Sequence, residues 1–143
     1  MVTQWLARID SQIIFVVLSA LVAILIWAEG QMLKTTNGRI PKTTFFKFCA
    51  IIDFLWVPIS IISMYLLDMD GIYLVVPIAY QIYAVAGWIY SNRLIKRKGI
   101  PDIEKFEVSL SYIAYCQSFA IVFFVLCLSV ATYGIILSES MAG

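Results

Sequence analysis

The sequence predicts an all-α polytopic membrane protein with four transmembrane helices in an antiparallel bundle. The first observation is composition: 62% of the 143 residues are hydrophobic and 13% are charged, whereas ordinary globular domains contain about 25% charged residues. The second is that the apolar residues fall into four segments, each long enough for the ~20-residue helix that crosses a bilayer. The third is that nearly all basic residues lie in two of the connecting loops. A single four-span membrane domain, residues 1–143, accounts for all three observations.

The first two predicted spans are residues 13–33 and 45–67. Span one has an apolar core longer than that of a signal peptide, and no A-x-A-like cleavage site follows it, so we expect it to be retained. In span two, Trp56 lies near the middle and is expected to pack against another helix. Thr43 or Thr44 is expected to cap its N-terminus, because threonine side chains accept from free helical N–H groups.

The last two predicted spans are residues 71–92 and 108–138, and neither contains a charged residue. The short "LDMDGIY" connection predicts that spans two and three form a tight antiparallel hairpin. Span four would be about 46 Å long as a straight helix, which exceeds a bilayer core of about 30 Å. It must therefore tilt or project into water. We also expect an amphipathic helical turn near Asp102 to lead directly into it.

The distribution of basic residues predicts the orientation in the cell membrane. Of the ten basic residues, all except Arg8 lie in or beside the loops formed by residues 34–44 and 93–107. Cytoplasmic loops of membrane proteins carry an excess of Lys and Arg. We therefore expect these two loops to be cytoplasmic and both termini to be extracytoplasmic.

Several functional classes find no support in the sequence. There is no histidine, which removes the commonest metal ligand. Cys49, Cys116 and Cys127 all lie in apolar segments, where cysteine usually packs as a small hydrophobic residue. No P-loop, nucleophile elbow, zinc motif or CxxC motif occurs, so no cofactor is predicted and the chain is not expected to be an enzyme by itself. A net charge of +1 gives no indication of a nucleic-acid partner.

Asp53 is the first candidate for a functional residue, because it lies about 12 Å into the membrane from the cytoplasmic end of span two. Intramembrane carboxyl groups are costly and usually raise a functional hypothesis. Three interpretations remain open. A neutral Asp53 would hydrogen-bond a neighbouring helix through Gln81, Gln117 or a tyrosine, beside the backbone that Pro58 interrupts. Alternatively, it would relay protons or cations or contact a partner subunit's cofactor. A metal site shared with Cys49 is the third.

Glu29 is the second candidate, and it lies about 6 Å from the cytoplasmic end of span one. We expect it to pair with one of the interfacial lysines, Lys34, Lys42 or Lys47. The alternative is that Glu29 and Asp53, which belong to the same leaflet, face one polar cavity.

Other polar side chains are expected to join the helices, since amides and hydroxyls in lipid seek partners on neighbouring helices. These are Gln81, Gln117, Tyr80, Tyr83 and Tyr115. A quinone or lipid pocket is the alternative role for this group. The basic run Lys96, Arg97 and Lys98 either contacts anionic lipid head groups or serves only as a topology determinant.

Four short-looped spans, no histidine and many tyrosines at expected helix interfaces together resemble a small accessory subunit of a multisubunit membrane oxidoreductase. The small extra subunits that accompany archaeal ammonia monooxygenase are one example, similar in size, span count and Ile/Lys-rich composition. The resemblance implies copper chemistry on other chains, with this chain supporting assembly or lipid contacts.

The leading functional prediction is a non-catalytic structural or assembly subunit of a larger membrane complex. All four spans are apolar nearly all round, which leaves surface for membrane lipids and for other integral membrane subunits. Two alternatives remain open. One is a small oligomeric proton or cation transporter or channel that uses Asp53, and the other is a membrane immunity or inhibitor protein.

Overall fold

A computed structural model of the chain describes residues 2–69, 71–98 and 107–142. Within these residues the chain forms four long α-helices and no β-strand. The helices are α1 (Val2–Thr35), α2 (Thr44–Leu66), α3 (Val75–Lys98) and α4 (Leu110–Ala142), and a short 3-10 turn, Gly71–Leu74, precedes α3. The portions long and apolar enough to cross a membrane are Ser11–Thr35, Thr44–Leu66, Gly71–Leu94 and Leu110–Leu137. They lie close to the four predicted spans, and the predicted fold class, an all-α four-helix membrane bundle, is confirmed.

The helices pack in a closed order in which each one contacts the next along the chain, and α4 returns to α1. The contact between α1 and α4 is the most extensive, because small residues on both helices allow their backbones to approach closely. The buried small residues are Ser19, Ala20, Ala23 and Gly30 on α1, and Ala120, Cys127, Ala131 and Gly134 on α4. At Gly134, an added Cβ atom would lie 2.6 Å from the Tyr73 hydroxyl oxygen. Ile13 Cγ1 on α1 would lie 3.0 Å from the same Cβ atom, so a side chain at position 134 would displace Tyr73 and Ile13.

The end of the bundle that carries the turn between α2 and α3 is filled by packed side chains. Phe15 on α1 stacks on Trp56 of α2, with ring centroids 5.5 Å apart, which confirms that Trp56 packs against another helix. The amide of Gln12 donates to the Leu67 carbonyl oxygen at 3.1 Å and so joins α1 to that turn. Val76 and further apolar residues complete the same core.

The opposite end, which we call the basic-loop end, carries residues 36–43 and 107–109. Thr43 caps α2 as expected, since its Oγ1 accepts from the Phe46 N–H at 3.3 Å. The two loops are joined there: the Val108 N–H donates to the Gly38 carbonyl oxygen at 2.8 Å. An exposed salt bridge of 3.4 Å links Arg39 to Glu107 beside this bond. The described parts of both basic loops therefore lie at one end of the bundle, and which side of the membrane that end faces stays a prediction.

The predicted helical turn leading into span four is wrong where the structure describes it. Residues 107–109 are not helical, because Glu107 forms a bridge with Arg39 and α4 begins at Leu110. Ser109 caps the helix instead: its Oγ accepts from the Tyr112 N–H at 3.2 Å. The part of that prediction near Asp102 lies outside the described residues.

Much of the apolar surface of the helices faces outward. Only 22% of the most apolar segment of α2 is buried inside the bundle, and 44% of the most apolar segment of α1. Apolar surface on this scale requires an apolar surrounding, so the outer faces of the helices contact membrane lipids.

Candidate functional site

The four helices bring a group of polar side chains together in the half of the bundle nearer the basic-loop end. Each helix contributes to this group, which we call the polar cluster. Its members are Glu29 from α1, Asp53 from α2, Tyr80 and Tyr83 from α3, and Tyr112 and Cys116 from α4.

Asp53 contacts α3 through a hydrogen bond from a tyrosine. The Tyr80 hydroxyl, almost completely buried at 1% exposure, donates to Asp53, where it meets both the main-chain carbonyl oxygen and Oδ1. Of the partners considered from the sequence, the structure therefore places a tyrosine hydroxyl against Asp53. The bond fixes the position of the carboxyl group between α2 and α3.

Gln81 satisfies a different part of α2. Its Nε2 donates to the Val57 carbonyl oxygen at 3.1 Å and also to the Ser60 hydroxyl. The Ser60 hydroxyl in turn donates to the Val57 carbonyl oxygen at 2.9 Å. These groups flank Pro58, whose missing N–H interrupts the helical hydrogen bonds. Gln81 therefore joins α3 to the proline-containing turn of α2 rather than to Asp53.

The remaining predicted contact residues join α3, α4 and α1. Gln117 donates to the Trp27 carbonyl oxygen at 3.3 Å and to Gln31 Oε1 at 2.9 Å. Tyr83 stacks on Phe119, with ring centroids 4.2 Å apart, and also lies beside Tyr115 at 6.3 Å. Tyr83 and Tyr115 therefore contact each other through the faces of their rings.

The basic run after span three is only partly described. Lys96 is exposed near the end of α3. The side chains of Arg97 and Lys98 lie outside the described part of the chain, so head-group binding by these residues stays a prediction.

Glu29 differs from its expected arrangement. Among the described residues no hydrogen bond or salt bridge to its carboxyl group is formed, so the expected pairing with Lys34, Lys42 or Lys47 is wrong. The physical reason is the position of Glu29 around α1, which places its side chain in the lining of the two cavities beside Asp53 rather than at the lysines. Glu29 is consequently half-buried at the bundle interior.

Two cavities meet at the polar cluster. The larger has a volume of about 560 Å³ and the smaller about 290 Å³. Four residues line both of them: Glu29, Asp53, Tyr83 and Tyr112. The two intramembrane carboxyl groups therefore line the same two cavities, an arrangement close to the one that the sequence offered only as an alternative for Glu29.

The cavities extend in different directions. The larger one lies between α2 and α3, and its rim includes Phe54, 76% exposed, and Trp88, 67% exposed. It therefore opens toward the surrounding lipid. The smaller one is lined by Leu33, Ile40 and Val108 and so extends toward the basic-loop end.

Two features determine the electrostatics of the cavities: the two acids carry charges of the same sign when ionised, and their surroundings are largely apolar. The charges of Glu29 and Asp53 are close enough to interact. Two negative charges that face one cavity repel each other, and low dielectric strengthens that repulsion. Taking up a proton or another cation relieves it, so the arrangement favours positively charged occupants.

Among the described residues, the structure adds no third ligand to the hypothetical metal site of Cys49 and Asp53. In the described ranges, no three His, Cys, Asp or Glu side chains lie together in a way that could hold a metal ion. Cys49 is fully buried, whereas Cys116 lies beside the hydroxyl groups of Tyr83 and Tyr112. All three cysteines are free thiols.

Comparison of the chain with known protein families, with curated proteins and with solved structures finds no match. The fold and the site define the class as a four-span membrane protein with an acidic cavity inside the membrane. Functional inference rests on that cavity.

The hydrogen bond from Tyr80 leads to a stability prediction. Tyr80→Phe removes the hydroxyl that donates to Asp53, and we expect the protein to lose about 0.6 kcal/mol, the average measured for hydrogen bonds between membrane helices, and no more than about 1.7 kcal/mol, the largest measured value. The measurement is reversible unfolding in mixed micelles. Tyr133→Phe is the matched control, because Tyr133 is half-exposed on α4 and should tolerate the change. Equal stability of the two variants would contradict the prediction.

Proposed function

We propose that the protein is a small transporter of protons or other cations that uses Glu29 and Asp53 as its cation-binding groups. One observation carries the proposal: the Glu29 carboxyl group has no hydrogen-bond or ion-pair partner in the described part of the chain, and it lines the same two cavities as Asp53.

A carboxyl group inside a membrane carries a free-energy cost. Carboxylates at such depth are expensive unless they are protonated or neutralised by a cation. Asp53 has one donor, Tyr80, whereas Glu29 has none among the described residues. A carboxyl group without a fixed partner can release its proton and bind another cation in its place. This exchange is the elementary step of coupled transport.

Access to the two acids is asymmetric. The smaller cavity extends from the acids toward the basic-loop end, while the opposite half of the bundle is filled by its packed core. Transport requires a second conformation in which that half opens. Pro58 in α2 is suited to this change, because a proline inside a helix interrupts its hydrogen bonding and permits bending.

The proposal includes the membrane orientation that the basic loops predict. With loops 34–44 and 93–107 cytoplasmic in the cell membrane, the smaller cavity would admit protons and cations from the cytoplasm.

The direct test of transport is flux into proteoliposomes. The purified protein is expected to raise proton or cation flux above that of protein-free vesicles, and flux equal to theirs would contradict the proposal.

A second candidate is the non-catalytic subunit of a larger membrane complex, to which the resemblance to oxidoreductase accessory subunits belongs. It is favoured by strongly exposed side chains near one end of α2, where Tyr65 is 81% exposed and Leu66 is 78% exposed. Partner helices would cover such a surface as well as lipid does. Purification in mild detergent separates the two candidates: co-migration with larger membrane subunits in fixed stoichiometry supports this one, and a lone chain or homo-oligomer opposes it.

A further inference from the structure

We propose that the larger cavity binds a lipophilic organic cation that enters from the bilayer between α2 and α3. This inference rests on the proposed function, because it uses the same two carboxyl groups, and it names the class of substrate.

The charge of the lining selects for a cation. Among the residues that the structure describes, Glu29 and Asp53 both line the larger cavity, and no Lys or Arg does. A neutral lipid tail or quinone fits the cavity only while both acids are protonated, because it brings no counter-charge to an ionised Glu29 carboxyl group. A positively charged ligand would supply one and would reduce the repulsion between the two acids.

The walls of the cavity match a bulky organic cation. Aromatic residues from three helices line it, namely Phe54, Tyr80, Tyr83, Trp88 and Tyr112. The face of an aromatic ring attracts a cation, most strongly where water is excluded. Carboxyl groups combined with several rings therefore provide both charge pairing and cation–π contacts.

Size and polarity argue against a metal ion as the occupant. The volume of about 560 Å³ lies within the range of about 300–1,000 Å³ typical of small-molecule sites. Ca²⁺ and Mg²⁺ require about six or more oxygen ligands. Much of the remaining wall is apolar, including Ala50, Val57 and Ala84. A large, weakly hydrated cation fits this lining better.

The opening explains how such a ligand would arrive. Val85 and Trp88 lie at the rim on α3 and Phe54 lies on the α2 side, and all three are largely exposed on the lipid-facing surface. Amphipathic cations accumulate at the bilayer, so a lateral opening between two helices admits them without passage through the loops.

The test uses tetraphenylphosphonium as the probe and tetraphenylborate, an anion of nearly the same shape, as the comparison. Calorimetry on the purified full chain in micelles should detect binding of tetraphenylphosphonium and not of tetraphenylborate. Glu29→Gln should weaken tetraphenylphosphonium binding by about tenfold or more, equivalent to ~1.4 kcal/mol. Ala84→Leu, which fills the cavity without changing a charge, should also weaken it. Glu139→Gln, at an exposed position near the end of α4, should leave it unchanged.

The outcomes separate this inference from the proposed function. Absence of tetraphenylphosphonium binding, equal binding of the two ions, or unchanged affinity in both Glu29→Gln and Ala84→Leu overturns the organic-cation site. If flux that depends on Glu29 is nevertheless present in proteoliposomes without the probe, the proposed function stands and only the substrate class is wrong. If both binding and flux are absent, both proposals fail.

Discussion

Glu29→Gln and Asp53→Asn are each expected to reduce proton and cation flux in proteoliposomes to the level of protein-free vesicles. The amide side chains keep the size of the acids but can neither release a proton nor neutralise a cation. Because both residues line both cavities, the loss of either carboxyl group interrupts the same pathway. Flux of protons and of a monovalent cation, measured with a pH-sensitive dye and with a tracer, provides the readout.

The fold should survive these two substitutions, which makes the flux result interpretable. Asparagine at position 53 retains the carbonyl-type oxygen that accepts from Tyr80, and Glu29 makes no hydrogen bond to a described residue that glutamine would break. Thermal unfolding should therefore remain near that of the wild type. Glu139→Gln is the control for a carboxyl group outside the cavities and should retain full flux. Unchanged flux in both variants would remove these acids from the mechanism.

Gly38→Ala is expected to produce the second large effect, a loss of stability at the basic-loop end. Gly38 has φ of 87°, and an added Cβ atom would lie 2.2 Å from the Val108 carbonyl oxygen. The backbone must therefore shift, which breaks the bond from the Val108 N–H to the Gly38 carbonyl oxygen. We expect a lowered unfolding temperature in detergent, with a free-energy loss above the about 1–2 kcal/mol that a left-handed conformation costs a non-glycine residue.

Gly71→Ala is the matched control for the steric part of this effect. Gly71 also has positive φ, 57°, but an added Cβ atom there would meet no atom within 4 Å. Its substitution carries the backbone cost alone and should be the milder of the two. If the two variants lose the same free energy of unfolding, the contact between residues 38 and 108 contributes nothing to stability.

The spans could be predicted from the sequence because bilayer thickness sets the length of an apolar helix. The N-cap at Thr43 could also be predicted, since it depends only on local sequence. The start of α4 could not, because residues 107–109 are held in a non-helical conformation by Gly38 and Arg39 from a distant loop. A contact between distant segments overrode a local helical pattern there.

The site was only partly predictable for a related reason. Asp53 and Glu29 were identified from their position in apolar segments, but their partners depend on how each helix is rotated about its axis. Tyr80 and Gln81 are adjacent in the sequence yet contact different parts of α2. The shared cavity also depends on the spacing of α2 and α3, which hydropathy does not encode. Glu29 was consequently expected at the lysines rather than inside the bundle.

The central claim is that both acids line a cavity that is reached from the basic-loop end, and thiol accessibility tests it most directly. Glu29→Cys and Asp53→Cys would be made separately in a chain whose three native cysteines are replaced by alanine. A positively charged, membrane-impermeant methanethiosulfonate reagent would then be added to either side of oriented vesicles. We expect both positions to react from the cytoplasmic side. Reaction of neither position, or reaction of the two from opposite sides, would contradict it.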